Sequence, residues 1–192
     1  MVNKQLVIQA FDNQPLIKFE KYKFLLNSLT EQIPATSVEL LQAATDWIVA
    51  EGEFGQATKL IGEEDKGAIL VASTSLATRL PFGMARWYPV GIEGQISVDF
   101  KMEYASGQLY LNGVEENDKV IIVDDMISTG GTLLALIKAV QLAKGEIIDI
   151  VCVAEKIEYF GVHQIEMETG YQPKTLLKVS IAGERSKVIQ TR

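Results

Sequence analysis

The segment Val120-Ile121-Ile122-Val123-Asp124-Asp125-Met126-Ile127-Ser128-Thr129-Gly130-Gly131-Thr132 carries the residue types of an anion site. A continuous apolar run, read as a buried strand over Lys119–Val123, delivers two acids at its carboxyl end. A hydroxyl- and glycine-rich turn follows and opens a helix. Adjacent glycines let a backbone approach an anion closely, with successive amides pointing inward. Ser128, Thr129 and Thr132 add hydroxyl donors, and the helix start contributes about half a positive charge. That combination suits a phosphate dianion.

Asp124 and Asp125 require a different explanation, because carboxylates repel phosphate. Beside a phosphate pocket they can accept hydrogen bonds from vicinal sugar hydroxyls, favour positive charge on a sugar ring, or hold a divalent cation. The turn alone would equally fit a capped helix start; the acid pair just before it favours the ligand reading. No Gly-Lys-Ser/Thr follows, so this is not a Walker loop, and the dinucleotide spacing Gly-x-Gly-x-x-Gly is missing.

The elements that must position these groups alternate. Ser37 or Thr36 caps a helix whose apolar face is Val38, Leu40, Leu41, Ala44, Trp47 and Ile48, and which Gly52 ends. Lys59–Gly62 reads as a strand, Ala68–Thr78 as a helix and Pro81–Trp87 as a strand. Gln95–Tyr104 and Gly107–Leu111 alternate like a two-stranded ribbon. Thr132–Ala143 is a helix closed by Gly145, Ile147–Ala154 a buried strand, and Thr175–Ile181 the last strand. At the N-terminus, Leu6-Val7-Ile8 and Leu16–Phe19 are strand-like. Strands alternating with helices predict an α/β fold with a mainly parallel, twisted sheet flanked by helices.

Composition bounds the function. The chain has 192 residues and a formal net charge of −7, which argues against a nucleic-acid partner. Single Cys152 and His163 exclude an intrachain disulfide and a multi-histidine metal centre. Cys152, in an apolar run, is expected to be a buried hydrophobe, and His163 a surface residue. No apolar stretch is long enough for a membrane span, and the N-terminus lacks a signal-peptide core. A cytoplasmic location is expected.

Residues Val123–Thr132 resemble the phosphoribosyl pyrophosphate (PRPP) signature of the type I phosphoribosyltransferases. Gly107–Gly113 with Asp118–Thr132, and later Glu168–Tyr171 with Lys174–Lys178, are similar to archaeal-type hypoxanthine/guanine enzymes. Met102-Glu103-Tyr104 instead resembles adenine enzymes. Similar stretches cover most of residues 58–181.

The resemblance implies one phosphoribosyltransferase domain over residues 1–192. Its core would span about 34–155, with a hood from about 1–30 and 156–192 and a protruding ribbon. It implies a purine enzyme that makes a nucleoside 5′-monophosphate and pyrophosphate from PRPP and a purine base, adenine being slightly favoured, with Mg²⁺ as cofactor. A homodimer is expected.

Residue by residue, the resemblance assigns Asp124, Asp125, Ser128, Thr129, Gly130, Gly131 and Thr132 to the ribose and 5′-phosphate. Asp125 is also placed in the catalytic set, and Asp124 and Asp125 lie near the Mg²⁺ that PRPP would carry. Glu64, Asp65, Lys66 and Gly67 fall at the pyrophosphate loop, with Gly67 permitting a tight turn. Glu103 is the candidate to exchange a proton with the base, and Arg86 begins the mobile catalytic loop. Tyr22, Phe24, Ile157 and Tyr159 are the candidates to hold the base.

One departure stands out. Where the family has loop lysines, this chain has Trp87 and Val90, and residues 87–95 contain neither Lys nor Arg. That keeps open a second reading, a catalytically weak regulatory protein that senses PRPP or a nucleotide on the same fold.

Overall fold

The N-terminal segment is the first place where pattern and structure part. In the computed structural model, which describes residues 2–101 and 106–192, Leu6-Val7-Ile8 belong to a helix, α1 (Lys4–Phe11). The reason is periodicity: Val7, Ala10 and Phe11 are buried, an i, i+3, i+4 stripe that a three-residue window cannot reveal. Strands β1 (Leu16–Phe19) and β2 (Tyr22–Leu25) pair antiparallel as a separate small sheet.

Helix α2 (Val38–Glu51) starts as expected, with the Ser37 hydroxyl accepting from Leu40 N–H, while Thr36 donates to Ser28 C=O instead. Then come β3 (Lys59–Glu63), α3 (Ala68–Thr78) and β4 (Phe82–Arg86). The ribbon is β5 (Ile96–Lys101) with β6 (Ser106–Leu111). Strand β7 (Lys119–Ile127) runs past the expected end and takes Asp124 and Asp125 into the strand itself. It leads to α4 (Gly131–Leu142), β8 (Glu146–Lys156), a 3-10 turn over Ile157–Tyr159, α5 (Gly161–Thr169), β9 (Lys174–Ser180) and β10 (Lys187–Thr191).

The main sheet has the order β10-β9-β8-β7-β3-β4-β6-β5. From β9 to β4 the pairing is parallel, and antiparallel strands finish both edges. Apolar clusters lie on both faces: Phe11, Leu29, Trp47 and Leu70 on one, Leu109, Leu136, Val140 and Ile165 on the other. A parallel sheet needs such cover on both sides, which explains the nearly unbroken apolar runs of β7 and β8.

Strand β9 is not the last. Edge strand β10 and helix α5 escape pattern reading because β10 is mostly exposed and α5 buries only Gly161 and Ile165. Helix α4 is closed by Lys144, in the left-handed region at φ 62°, with Gly145 N–H bonding back to Val140 C=O at 3.0 Å. The two ends of the chain meet. Ser186 Oγ donates to Phe11 C=O (2.7 Å) and accepts from Gln14 N–H (2.8 Å), and Lys23 Nζ reaches Ile181 C=O (2.8 Å).

Candidate active site

Chain order reverses between β3 and β7. After β3 the sheet grows one way through β4, and after β7 it grows the other way through β8. Loops leaving the carboxyl ends of two such strands diverge and open a crevice. The cleft there is lined by Asp65 and Lys66 after β3, and by Asp124, Asp125 and Ser128–Leu133 from β7 into α4. Phe24 and Glu31 from the N-terminal segment, and Lys156 at the end of β8, also line it.

The turn after β7 has the geometry its glycines imply. Gly130 sits at φ 86°, a left-handed conformation that costs an L side chain about 1–2 kcal/mol. It hands the chain to α4, whose first N–H groups have no acceptor within the helix. Ser128 Oγ is buried without a hydrogen-bond partner. Together these groups offer donors to an anion and no carboxylate within the turn.

The acids lie beneath. Asp124 and Asp125 are 6% and 7% exposed, and Asp125 N–H donates to Asp124 Oδ1 at 2.9 Å. Burial pushes both carboxyls above the usual range, and for Asp124 the neighbouring charges of Asp125 and Glu63 push the same way. Lys66 Nζ opposes this at Asp125. Cys152, across the register from Asp124, has its thiol pushed up by burial and behaves as the expected hydrophobe. His163 is exposed.

Gly67 does not make a strained turn; its φ is −69°. Its value is space, since a Cβ there would lie 2.4 Å from Asp124 Oδ1. The loop after β3 can therefore rest against the acid pair. Lys66 is bonded to Glu31 and lies 5.6 Å from the Phe24 ring centre. Burial acts to lower its pKa, but Glu31 and then Asp125 and Asp65 hold it above the ordinary value.

Not every expected residue reaches the cleft. Glu64 turns toward the next loop, where its carboxylate accepts Trp87 N–H at 2.9 Å. Arg86 ends β4 on the exposed side with its guanidinium 5.8 Å from the Tyr88 ring. Glu103 lies outside the described residues. Of the aromatic candidates, Phe24 lines the cleft, whereas Tyr22 lines a neighbouring groove with Thr129 and Lys138. Ile157 and Tyr159 line neither. Tyr159 meets Tyr22 edge to face at 5.6 Å and accepts Lys23 N–H at 2.8 Å.

Glu31 and Lys156 also line the cleft and lie outside every motif of the sequence, and Glu63, which heads the charged stretch Glu63–Gly67, lines it from within the strand. Glu63 looks like the start of a polar loop but is the last residue of β3, 4% exposed. Burial, then the charge of Asp65, raises its pKa to about 7. Lys156 is 5% exposed, lies 5.3 Å from Phe24 and 5.6 Å from Tyr159, and donates to Lys23 C=O at 3.1 Å. The available signal was position: a lysine closing a buried strand, next to an aromatic-rich segment.

A glycine turn rich in donors, an acid pair beside it and Phe24 in the wall stand together at the switch point of a doubly covered parallel sheet, the place where enzymes of this α/β architecture bind their ligands. Comparison with known proteins narrows the class. A phosphoribosyl transferase domain model matches residues 93–171. The chain is 39% identical over 176 residues to the hypoxanthine/guanine phosphoribosyltransferase of Methanocaldococcus jannaschii, covering 92% of this chain and 95% of that one. It is 41% identical over 167 residues to the enzyme of that name from Methanocaldococcus infernus, covering 87% and 90%. Among solved structures, adenine phosphoribosyltransferase from Thermoanaerobacter pseudethanolicus superposes with a TM-score of 0.77 at 20% identity, over 91% of this chain and 98% of that one. The adenine enzyme of Trypanosoma brucei, solved with AMP, pyrophosphate and ribose-5-phosphate, superposes at 0.73 with 17% identity, over 92% and 78%. At such identities these structures speak for the type I fold alone. The chain belongs to the phosphoribosyltransferase family and is a purine phosphoribosyltransferase. No helix among the described residues is long and apolar enough to cross a membrane.

Proposed function

We propose that the chain transfers the 5-phosphoribosyl group of PRPP to a 6-oxopurine, giving the nucleoside 5′-monophosphate and releasing pyrophosphate. The observation that carries the choice of base is Lys156, at the cleft wall beside Phe24. An ammonium group donates hydrogen bonds and cannot accept them. It therefore suits a base edge bearing carbonyl and imine acceptors, and it offers nothing to the exocyclic amine of adenine. The sequence pair that leans toward adenine, Glu103-Tyr104, lies outside the described residues.

In this reading the turn Ser128–Thr132 anchors the 5′-phosphate, so that catalysis becomes largely a matter of placement. Asp124 and Asp125 accept the ribose hydroxyls and stabilise positive charge on the ring as the bond at carbon 1 breaks. Lys66 and the 64–67 loop receive the departing pyrophosphate. Phe24 supplies an apolar face for the base. The terminal segments act as the hood over the core.

Among the described residues no group of three or more His, Cys, Asp or Glu forms a ready-made metal cage. The carboxylates of Asp124 and Asp125 are hard oxygen donors of the kind Mg²⁺ takes. Mg²⁺ held at Asp124 and Asp125 would neutralise charge on the leaving group.

The test is a panel of hypoxanthine, guanine, xanthine, adenine and orotate with PRPP and Mg²⁺, read by nucleotide formation. The proposal expects turnover with the 6-oxopurines well above that with adenine. A clear preference for adenine would overturn the assignment of Lys156.

A further inference from the structure

Helix α5 begins directly against the turn we assign to the 5′-phosphate. A Cβ built on Gly161 would lie 2.1 Å from Ser128 C=O and 2.9 Å from Gly130 N. A Cβ on Gly130 would in turn lie 3.0 Å from Gly161 C=O. Two backbones therefore cross glycine against glycine. The nearest atom, Ser128 O, is a main-chain atom that cannot swing aside as a side-chain tip can, and the Ile127 Cγ2 methyl at 2.8 Å closes the space further.

What brings Gly161 to this place is a fixed corner. Phe160 takes the left-handed conformation at φ 56°, closing the 3-10 turn and starting α5, while its ring stays exposed. The preceding residues are tied down. Tyr159 Oη accepts Lys23 N–H at 2.8 Å, and the Glu158 carboxylate accepts Ser180 Oγ at 2.5 Å and Ile181 N–H at 3.0 Å. A short stretch, Lys156 to Gly161, thus runs from the base side of the cleft to the underside of the phosphate turn.

We infer that Gly161 is a positioning residue for the 5′-phosphate: it touches no substrate, but its missing side chain lets the α5 corner brace the turn in its binding geometry. The inference rests on the assignment of Ser128–Thr132 to that phosphate. Adding a methyl group at residue 161 must push Ser128 and Gly130 from their places or displace α5. A shift of that size in an anchoring group can cost about 10²-fold. The loop after β3 leaves a different strand and should not notice.

The experiment compares Gly161→Ala with the parent, and uses Gly170→Ala as a control. Gly170 ends the same helix at φ 77° with open space around it, so its variant destabilises α5 without touching the turn. Calorimetry would measure ribose 5-phosphate and inorganic pyrophosphate separately, with melting temperature alongside. Gly161→Ala is expected to weaken ribose 5-phosphate by about tenfold or more, with pyrophosphate within about twofold of the parent. Gly170→Ala is expected to lower the melting temperature and leave both affinities unchanged.

Should Gly161→Ala not fold, Phe160→Gly decides. It frees the corner while keeping Gly161, and is expected to weaken ribose 5-phosphate selectively. In a folded Gly161→Ala protein, or in Phe160→Gly if that must stand in for it, unchanged ribose 5-phosphate affinity overturns the inference. A parallel loss of both ligands does the same. A parent that binds no ribose 5-phosphate overturns the reading of the turn, and this inference with it.

Discussion

Trp87 donates its indole N–H to the Glu63 carboxylate, and its backbone N–H goes to Glu64 at 2.9 Å. The ring also rests against Phe100, with centroids 5.6 Å apart. At the position where the resemblance expects a loop lysine, Trp87 thus gives its indole N–H to Glu63. It fastens the start of loop 87–95 to the end of β3.

This changes what restoring lysines should do. A lysine at position 87 would find the carboxylates of Glu63 and Glu64 first, so Trp87→Lys is expected to leave turnover unchanged or lower it. Val90, half exposed and bonded through its N–H to Gln95, is the better site. Val90→Lys should raise kcat/KM for PRPP by up to about tenfold, well short of the roughly 2.7–4 kcal/mol of a preorganised donor. Steady-state kinetics on both variants decide it, and a gain in Trp87→Lys alone would reverse the argument.

The same contact yields a pH prediction. The folded pKa of Glu63, about 7, lies above its unfolded value of 4.5. Its contribution to stability is therefore fully present below about pH 4.5 and is lost as pH rises through about 7. Glu63→Gln keeps an acceptor for Trp87 and removes the ionisation. The variant should exceed the parent by about 3 kcal/mol at pH 8.5 and by under about 1 kcal/mol at pH 5. Denaturant melts at the two pH values measure the difference, and a constant gap would show that Glu63 does not titrate in this window.

For the acid pair, Asp124→Asn with Asp125→Asn should lower turnover by about 10²–10³-fold or more while the fold survives. Both carboxyls carry raised pKa values, so the double variant should melt no lower than the parent above pH 7. Undiminished PRPP affinity by calorimetry would remove the pair from the site.

At the turn, Gly130→Val combines a β-branched residue with φ 86° and a Cβ 3.0 Å from Gly161 C=O. Ribose 5-phosphate should raise the melting temperature of the parent and protect the variant far less. Equal protection would argue against the turn as the phosphate anchor.

How much of this was legible beforehand follows from what is local. The turn Ser128–Thr132, helix α3 and the cap at Ser37 announce themselves in consecutive residues, and each is found where the pattern puts it. Helix α1 does not show in the pattern of Leu6-Val7-Ile8 because its stripe needs more than three residues to appear. Helix α5 and strand β10 carry too little apolar surface to leave a pattern. The wall opposite the turn was the least legible. Glu31, Glu63 and Lys156 come from three distant parts of the chain, and only the sheet order brings them together. The close approach of Gly67 to Asp124 leaves no trace in a single sequence.

The bonds that join the two ends of the chain also set a timetable for its making. Strands β3 to β8 draw on residues 59–156, so the sheet that carries the phosphate turn can form while the C-terminal segment is still being synthesised. The β1–β2 side cannot be completed then, because Gln14 waits for Ser186, 172 residues later, and Lys23 waits for Ile181. Contacts of such separation form slowly and late. The corner that braces the turn is tied to Ser180 and Ile181 as well, so a ribosome-stalled chain ending before residue 180 should hold the sheet and the turn but bind ribose 5-phosphate more weakly than the full chain.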